Sequence, residues 1–251
     1  MIGLLALAMF VLVGSAVGIR LVHTAALRGG GSPAWACGLG FLFICLVGYP
    51  LSAVSGVGLR ACGDVDLALG AAGLVFTAAG LASFYVFTLV VFRPRARWAW
   101  AFALAAIAGL GASAFGQVGA IAAAPPAMPS GEASQLWTRV TAALSLTCYA
   151  WSGFESLLEW SKARRRVALG LADPVVANRI LLWGVHGVAV TALNVFLIGL
   201  NVATGEHMSE HVGPQVVMAV FGLVSSATIT LAFFPTEAWK ARVRARVARP
   251  A

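Results

Sequence analysis

Most ionisable side chains of this 251-residue chain fall in short polar connectors, and the few that interrupt long apolar stretches are where chemistry would be done. Glu155 and Glu159 stand four apart within the stretch 136–160, so on a helix they share one face. Glu155 lies about a turn deeper, roughly 6 Å. A carboxyl at that depth must find a cation or take up a proton. Glu159, nearer the end, is placed to pair with Lys162 or with an arginine of the connector that follows. Two readings stand: a structural ion pair where the stretch ends, or a proton- or signal-sensitive latch between the fifth and sixth apolar stretches.

The sixth stretch, 174–202, carries His186, Asn194 and Asn201. The two asparagines are seven apart and share a helix face, with His186 roughly 80° round from Asn194. Ser225, Ser226, Thr228 and Thr230 follow in the seventh stretch; Thr77, Ser83, Tyr85 and Thr88 lie in the third, and Gln117 in the fourth. Such groups either bond helix to helix or line a solute or ligand pocket. Haem would need a second axial ligand facing His186. The candidate is His23, displaced by roughly 9 Å along the helix axis, so no cofactor is expected. His207-Met208-Ser209-Glu210-His211 matches the H-x-x-E-H of inverted zinc peptidases. Its loop is short, however, and Glu237 lies on the other side, so no third ligand is at hand. What remains is a metal site of His207, His211 and Glu210, or a solvated acidic loop. The seventh stretch contains no lysine for a retinal Schiff base, and no enzyme is expected.

The elements that position these residues follow from composition. Charged residues make up 10% of the chain and hydrophobic ones 60%, with a mean hydropathy of +0.90. A soluble domain carries about a quarter charged residues. The apolar residues come in continuous blocks longer than about 18, the length of a membrane span, without the alternation of a membrane β-barrel. The expected fold is an all-α bundle of seven transmembrane helices forming a single domain, with spans near 2–22, 35–55, 67–92, 98–124, 136–160, 174–202 and 215–234. Pro50 should kink the second span or free a carbonyl, and Asp173-Pro174 is a strong helix start. Cys37, Cys45, Cys62 and Cys148 show no C-x-x-C spacing and no disulfide framework is expected. The first span lacks a basic segment before it, unlike a secretory signal.

Charge sets the expected orientation. Arg28, Arg93, Arg95, Arg97, Lys162, Arg164, Arg165, Arg166, Arg179, Lys240, Arg242, Arg244, Arg246 and Arg249 fall on one side, and Arg60 and Arg139 on the other. Basic residues beside spans stay cytoplasmic, so the N-terminus is read as outside and the C-terminus as inside. The net charge of +8 therefore serves topology and contact with membrane lipids rather than nucleic acid. Glu159, Arg164, Arg165, Arg166, Asp173 and Arg179 form the inner face, where a protein partner would dock. Oligomeric state is not legible.

Three pieces resemble a group of bacterial seven-helix integral membrane proteins of unknown function: FYVFTLVVFRP at 84–94, RRRVALGLADPVVANRILLWG at 164–184 after the two glutamates, and LAFFPTEAW at 231–239. The resemblance implies the fold and a bacterial inner-membrane location, but no catalytic activity. The threading is also similar, at the level of fold alone, to bacterial heptahelical sensors and to G-protein-coupled receptors. The functional expectation is a receptor-like sensor or accessory signalling protein, its polar pocket among spans three, five, six and seven formed by Tyr85, Gln117, Glu155, His186, Asn194 and Asn201. The alternatives are a small-solute or proton transporter or channel, and a structural subunit of a membrane complex. Small sugar carriers with triple-helix repeats fit less well, because neither half carries their Pro-Gln pair.

Overall fold

The computed structural model describes residues 2–27, 33–55, 66–125, 127–204 and 212–248, with side chains described except at 2–7, 201, 204, 212, 247 and 248. Among these residues the secondary structure is helical throughout, without a strand. In chain order the helices are α1 (Ile2–Leu27), α2 (Pro33–Phe41), a π-helical stretch (Leu42–Gly48), α3 (Tyr49–Ser55), α4 (Leu67–Phe92), α5 (Arg97–Ala122), α6 (Ser130–Ala133), α7 (Gln135–Ala168), α8 (Pro174–Thr204), α9 (Val212–Phe233) and α10 (Glu237–Ala248).

Among the described residues six stretches are long and apolar enough to cross a membrane: Ala8–Leu27, Pro33–Ser55, Leu67–Phe92, Arg97–Ala122, Pro174–Leu200 and Gly213–Phe233. They mark the chain as a helical membrane protein. The expected span 136–160 falls in α7, which is not among the six. That helix has 34 residues, but Arg139, Glu155, Glu159 and several Thr and Ser side chains dilute its apolar character.

The helix ends obey local chemistry. The Asp66 carboxylate accepts the Leu69 amide at 3.0 Å and starts α4. Asp173 accepts the Val175 amide at 2.9 Å, with Pro174 preset in the first turn of α8. At the other end of that connector, Gly170 adopts φ +71°, the Leu171 amide bonds to Arg166 O at 2.8 Å and the Gly170 amide to Val167 O at 3.0 Å. This is a Schellman stop, and it ends α7 at Ala168 sharply enough for α8 to begin six residues later. Pro235 closes α9, and Thr236 accepts the Trp239 amide at 3.2 Å to open α10.

The chain divides into two compact units, residues 14–148 and residues 1–13 with 149–251. In the first, the helix through Pro50 is not broken. It widens into the π-helical stretch, which includes Leu46, whose carbonyl the proline ring would meet in a regular α-helix, and the Tyr49 amide reaches back to Ile44 O. That helix lies against α4 at small residues. A Cβ on Gly80 would stand 2.9 Å from Gly40 O, and one on Gly73 2.8 Å from the Ser52 amide nitrogen. Phe41 meets Phe84 edge-on at 5.1 Å beside this seam.

In the second unit α7 and α8 touch backbone to backbone, since a Cβ on Gly187 would lie 2.6 Å from Gly153 Cα. Glycines at facing positions permit that approach, which in lipid is a main source of helix association. Helices α8 and α9 are antiparallel, with Arg179 bonded to Ala232 and His186 to Ser225, so that residue numbers rise on one as they fall on the other.

Candidate functional site

Most polar side chains of the apolar helices are satisfied by their own helix. Thr77, Ser83, Thr88, Ser156, Thr191, Thr228 and Thr230 each donate to the carbonyl four residues back. Asn194 does the same, Nδ2 to Val190 O at 2.9 Å. Each of these groups has one donor engaged within its own helix.

Other hydrogen bonds join different helices. In the unit of residues 14–148, Tyr85 on α4 donates to Leu144 O at 2.7 Å and lies 2.6 Å from Thr147 Oγ1 on α7. Gln117 on α5 donates to Thr141 Oγ1 at 3.0 Å and accepts from Thr138 at 3.3 Å, beside a Ser113–Thr141 hydrogen bond. Each polar atom here meets a matched partner, which is the arrangement of an interhelical clamp.

The other unit holds a different cluster. His186 is 1% exposed, and its Nδ1 lies 2.8 Å from Ser225 Oγ on α9. Its ring meets Tyr149 edge-on at 5.8 Å and Trp183 at 5.3 Å. Trp183 donates to Ser152 Oγ on α7 at 2.9 Å and packs edge-on against Phe233 of α9 at 5.8 Å. Two buried polar atoms beside this cluster, His186 Nε2 and Ser226 Oγ, have no partner among the described residues. Leaving such a group unmatched costs about 1–3 kcal/mol, so it is a place where structure yields to some other demand. Glu155 is buried on α7 and accepts from Trp151 Nε1 at 3.3 Å.

Contacts lead from this cluster toward the basic end of the helices. Phe233, under Trp183, lies 6.0 Å from the Arg179 guanidinium. Arg179 Nε donates to Ala232 O at 2.6 Å, capping a carbonyl of the last turn of α9. Beyond it Arg244 of α10 reaches Asp173 at 3.3 Å. The amide of Val175 first, then Arg244, holds the Asp173 carboxyl below the usual aspartate range. Glu159 pairs with Lys162 at 3.1 Å and Glu237 with Lys240 at 2.6 Å, and the latter contact lowers the Glu237 pKa. Arg164 lies 5.9 Å from the Trp160 ring, while Arg165 and Arg166 are exposed.

Of the six expected pocket residues, Tyr85 and Gln117 belong to one unit and Glu155, His186 and Asn194 to the other; the side chain of Asn201 lies outside the described residues, as do His207, Glu210 and His211. Among the described residues no three His, Cys, Asp or Glu side chains gather to hold a metal ion. Trp183 and Ser152, which frame His186, were passed over in the sequence. The signal was the i, i+3 spacing of Trp183 and His186, which puts two hydrogen-bonding rings on one face. Comparison with protein-family models, with curated proteins and with solved structures finds no match for this chain.

Proposed function

We propose that this chain is a receptor-like heptahelical protein of the bacterial inner membrane, its N-terminus outside and its C-terminus cytoplasmic, with α7 supplying the seventh span. It senses through the polar interior of α7, α8 and α9 and acts through the basic face formed by the end of α7, the α7–α8 connector and α10. One observation carries this reading: the train of contacts Ser225–His186–Trp183–Phe233–Arg179, which links an incompletely satisfied buried histidine to a cation near the charged end of the same helices. His186 lies twelve residues into α8 from Pro174, roughly 18 Å along the axis. A change in the hydrogen bonding of the imidazole alters the seating of Trp183 and Phe233, and with them the Arg179 cap.

Spin labels at Arg166→Cys and Arg242→Cys test it, by their separation in lipid vesicles. Ser225→Ala and Trp183→Phe should each shift that separation or its width. An unaltered distribution in both variants would remove the coupling and the sensor reading with it. The unmatched Nε2 of His186 also favours a second reading, a proton or small-solute path, which predicts dye-reported proton flux into vesicles that His186→Phe abolishes.

A further inference from the structure

A cavity of about 550 Å³ opens where α7 ends, α8 begins and α10 folds back, lined among others by Trp160, Arg164, Asn178, Leu181, Val243 and Arg246. We propose that it binds the phosphate head of an anionic phospholipid from the adjoining leaflet. The site is separate from the His186 cluster and needs only that the long apolar helices lie in a bilayer.

Charge is the first reason. The acids at this end are already engaged: Glu159 with Lys162, Asp173 with Arg244 and Glu237 with Lys240. Arg164 and Arg246 have no carboxylate partner among the described residues, yet both line the same cavity. Two guanidiniums converging on one space suit a phosphate, which accepts paired N–H bonds. Shape is the second reason. Apart from Asn178, the rest of the wall is apolar, from Val167, Pro174, Ala177, Leu181 and Val243, with the Trp160 ring beside Arg164. A free anion has no use for such a wall, whereas the glycerol and first methylenes of a lipid do. Position is the third. Ala177, Asn178 and Leu181 belong to the first two turns of the membrane-length stretch Pro174–Leu200, so the cavity sits at headgroup level. Its volume lies within the usual range for a bound small molecule, about 300–1,000 Å³.

The test uses the full chain in phosphatidylcholine vesicles containing bromine-labelled phosphatidylglycerol. Quenching of Trp160, isolated by difference from Trp160→Phe, should exceed that by bromine-labelled phosphatidylcholine. Arg164→Gln with Arg246→Gln should lower the preference for the anionic lipid roughly thirty-fold. The matched pair Arg165→Gln with Arg242→Gln, outside the cavity wall, should leave most of it. Val243→Glu, which places a carboxylate against the two arginines, should also abolish it, independently of the double variant. Equal loss in both arginine pairs, or no preference in the parent, overturns the site. Protection from quenching by inorganic phosphate alone, with no lipid preference, overturns the lipid as its occupant, as does displacement of the lipid signal only by a protein fraction.

Discussion

Adding one methyl group to α8 should have opposite consequences at two glycines twelve residues apart. At Gly187 a Cβ would stand 2.6 Å from Gly153 Cα, 2.9 Å from Gly153 N and 3.0 Å from Tyr149 O. Carbon atoms rest at about 3.5–4.0 Å, so α7 and α8 must part by about 1 Å at that point. The obstacle is backbone on both helices, so no side-chain rotation relieves it. A gap of that size forfeits a quarter to a half of each contact well along the seam, and overpacking of this kind costs about 1–3 kcal/mol. At Gly199 a Cβ meets nothing within 4 Å, and the gain in helix propensity on the aqueous scale is up to about 1 kcal/mol. Gly187→Ala and Gly199→Ala should therefore differ by about 2 kcal/mol or more, roughly thirty-fold in the unfolding constant. Gly153→Ala, whose Cβ would lie 3.1 Å from the Gly187 carbonyl carbon, falls between them. Unfolding in mixed micelles with rising SDS fraction, followed by circular dichroism, measures all three. If Gly187→Ala unfolds together with Gly199→Ala, the α7–α8 contact does not hold this unit together and the reasoning fails.

Four further outcomes follow from the same geometry. Ser225→Ala strands His186 Nδ1 and should cost about 1–3 kcal/mol in that assay, much of it recovered by adding His186→Phe, so a double-mutant cycle that is strictly additive would contradict the bond. Tyr85→Phe, which loses the bond to Leu144 O, should cost about 0.6 kcal/mol, the usual worth of such a bond in a membrane protein. The Asp173 pKa is depressed, so its share of α10 docking is present above the usual aspartate value of 3.8 and lost as pH falls below it; the separation of spin labels on α8 and α10 should be flat from about pH 8 to pH 5. Cysteines at 166 and 242 should react with an impermeant maleimide from one side of the membrane and Glu132→Cys from the other, and any other pattern breaks the proposed threading.

The helices were legible in the sequence because a bilayer tolerates little else. The expected span 67–92 coincides with α4, Leu67–Phe92, and the Asp173-Pro174 start is where α8 begins. Pro50 was read as a kink or a freed carbonyl. The turns before it instead widen into a π-helix that includes Leu46, whose carbonyl the proline ring would meet in a regular α-helix. The fifth stretch, 136–160, lies in α7, which spends much of its side-chain chemistry on bonds to its neighbours. Thr138, Thr141, Thr147 and Ser152, which the sequence reading did not single out, each bond to a side chain of a neighbouring helix. Asn194 gives an N–H to Val190 O of its own preceding turn, because periodicity tells which face a side chain shares, but not whether its own turn will claim part of it.

Bonds within a helix and bonds between helices differ in what a change of packing does to them. A hydroxyl bonded to its own i−4 carbonyl has the same partner whether its helix is packed or alone in lipid, so it contributes little to a change in packing. A bond across helices exists only while two helices keep their distance, and its loss is felt at both ends. His186 differs from Tyr85 and Gln117 in having one ring nitrogen engaged across helices and the other buried without a described partner. Tyr85 and Gln117 have settled arrangements, whereas the imidazole holds donor and acceptor capacity on opposite sides of one ring and exchanges them with its tautomer. A group of that kind can hold two arrangements of α8 and α9 close in energy. Its neighbour Trp183 is bonded to α7 and packed on Phe233, the contacts through which the proposed coupling would reach the Arg179 cap.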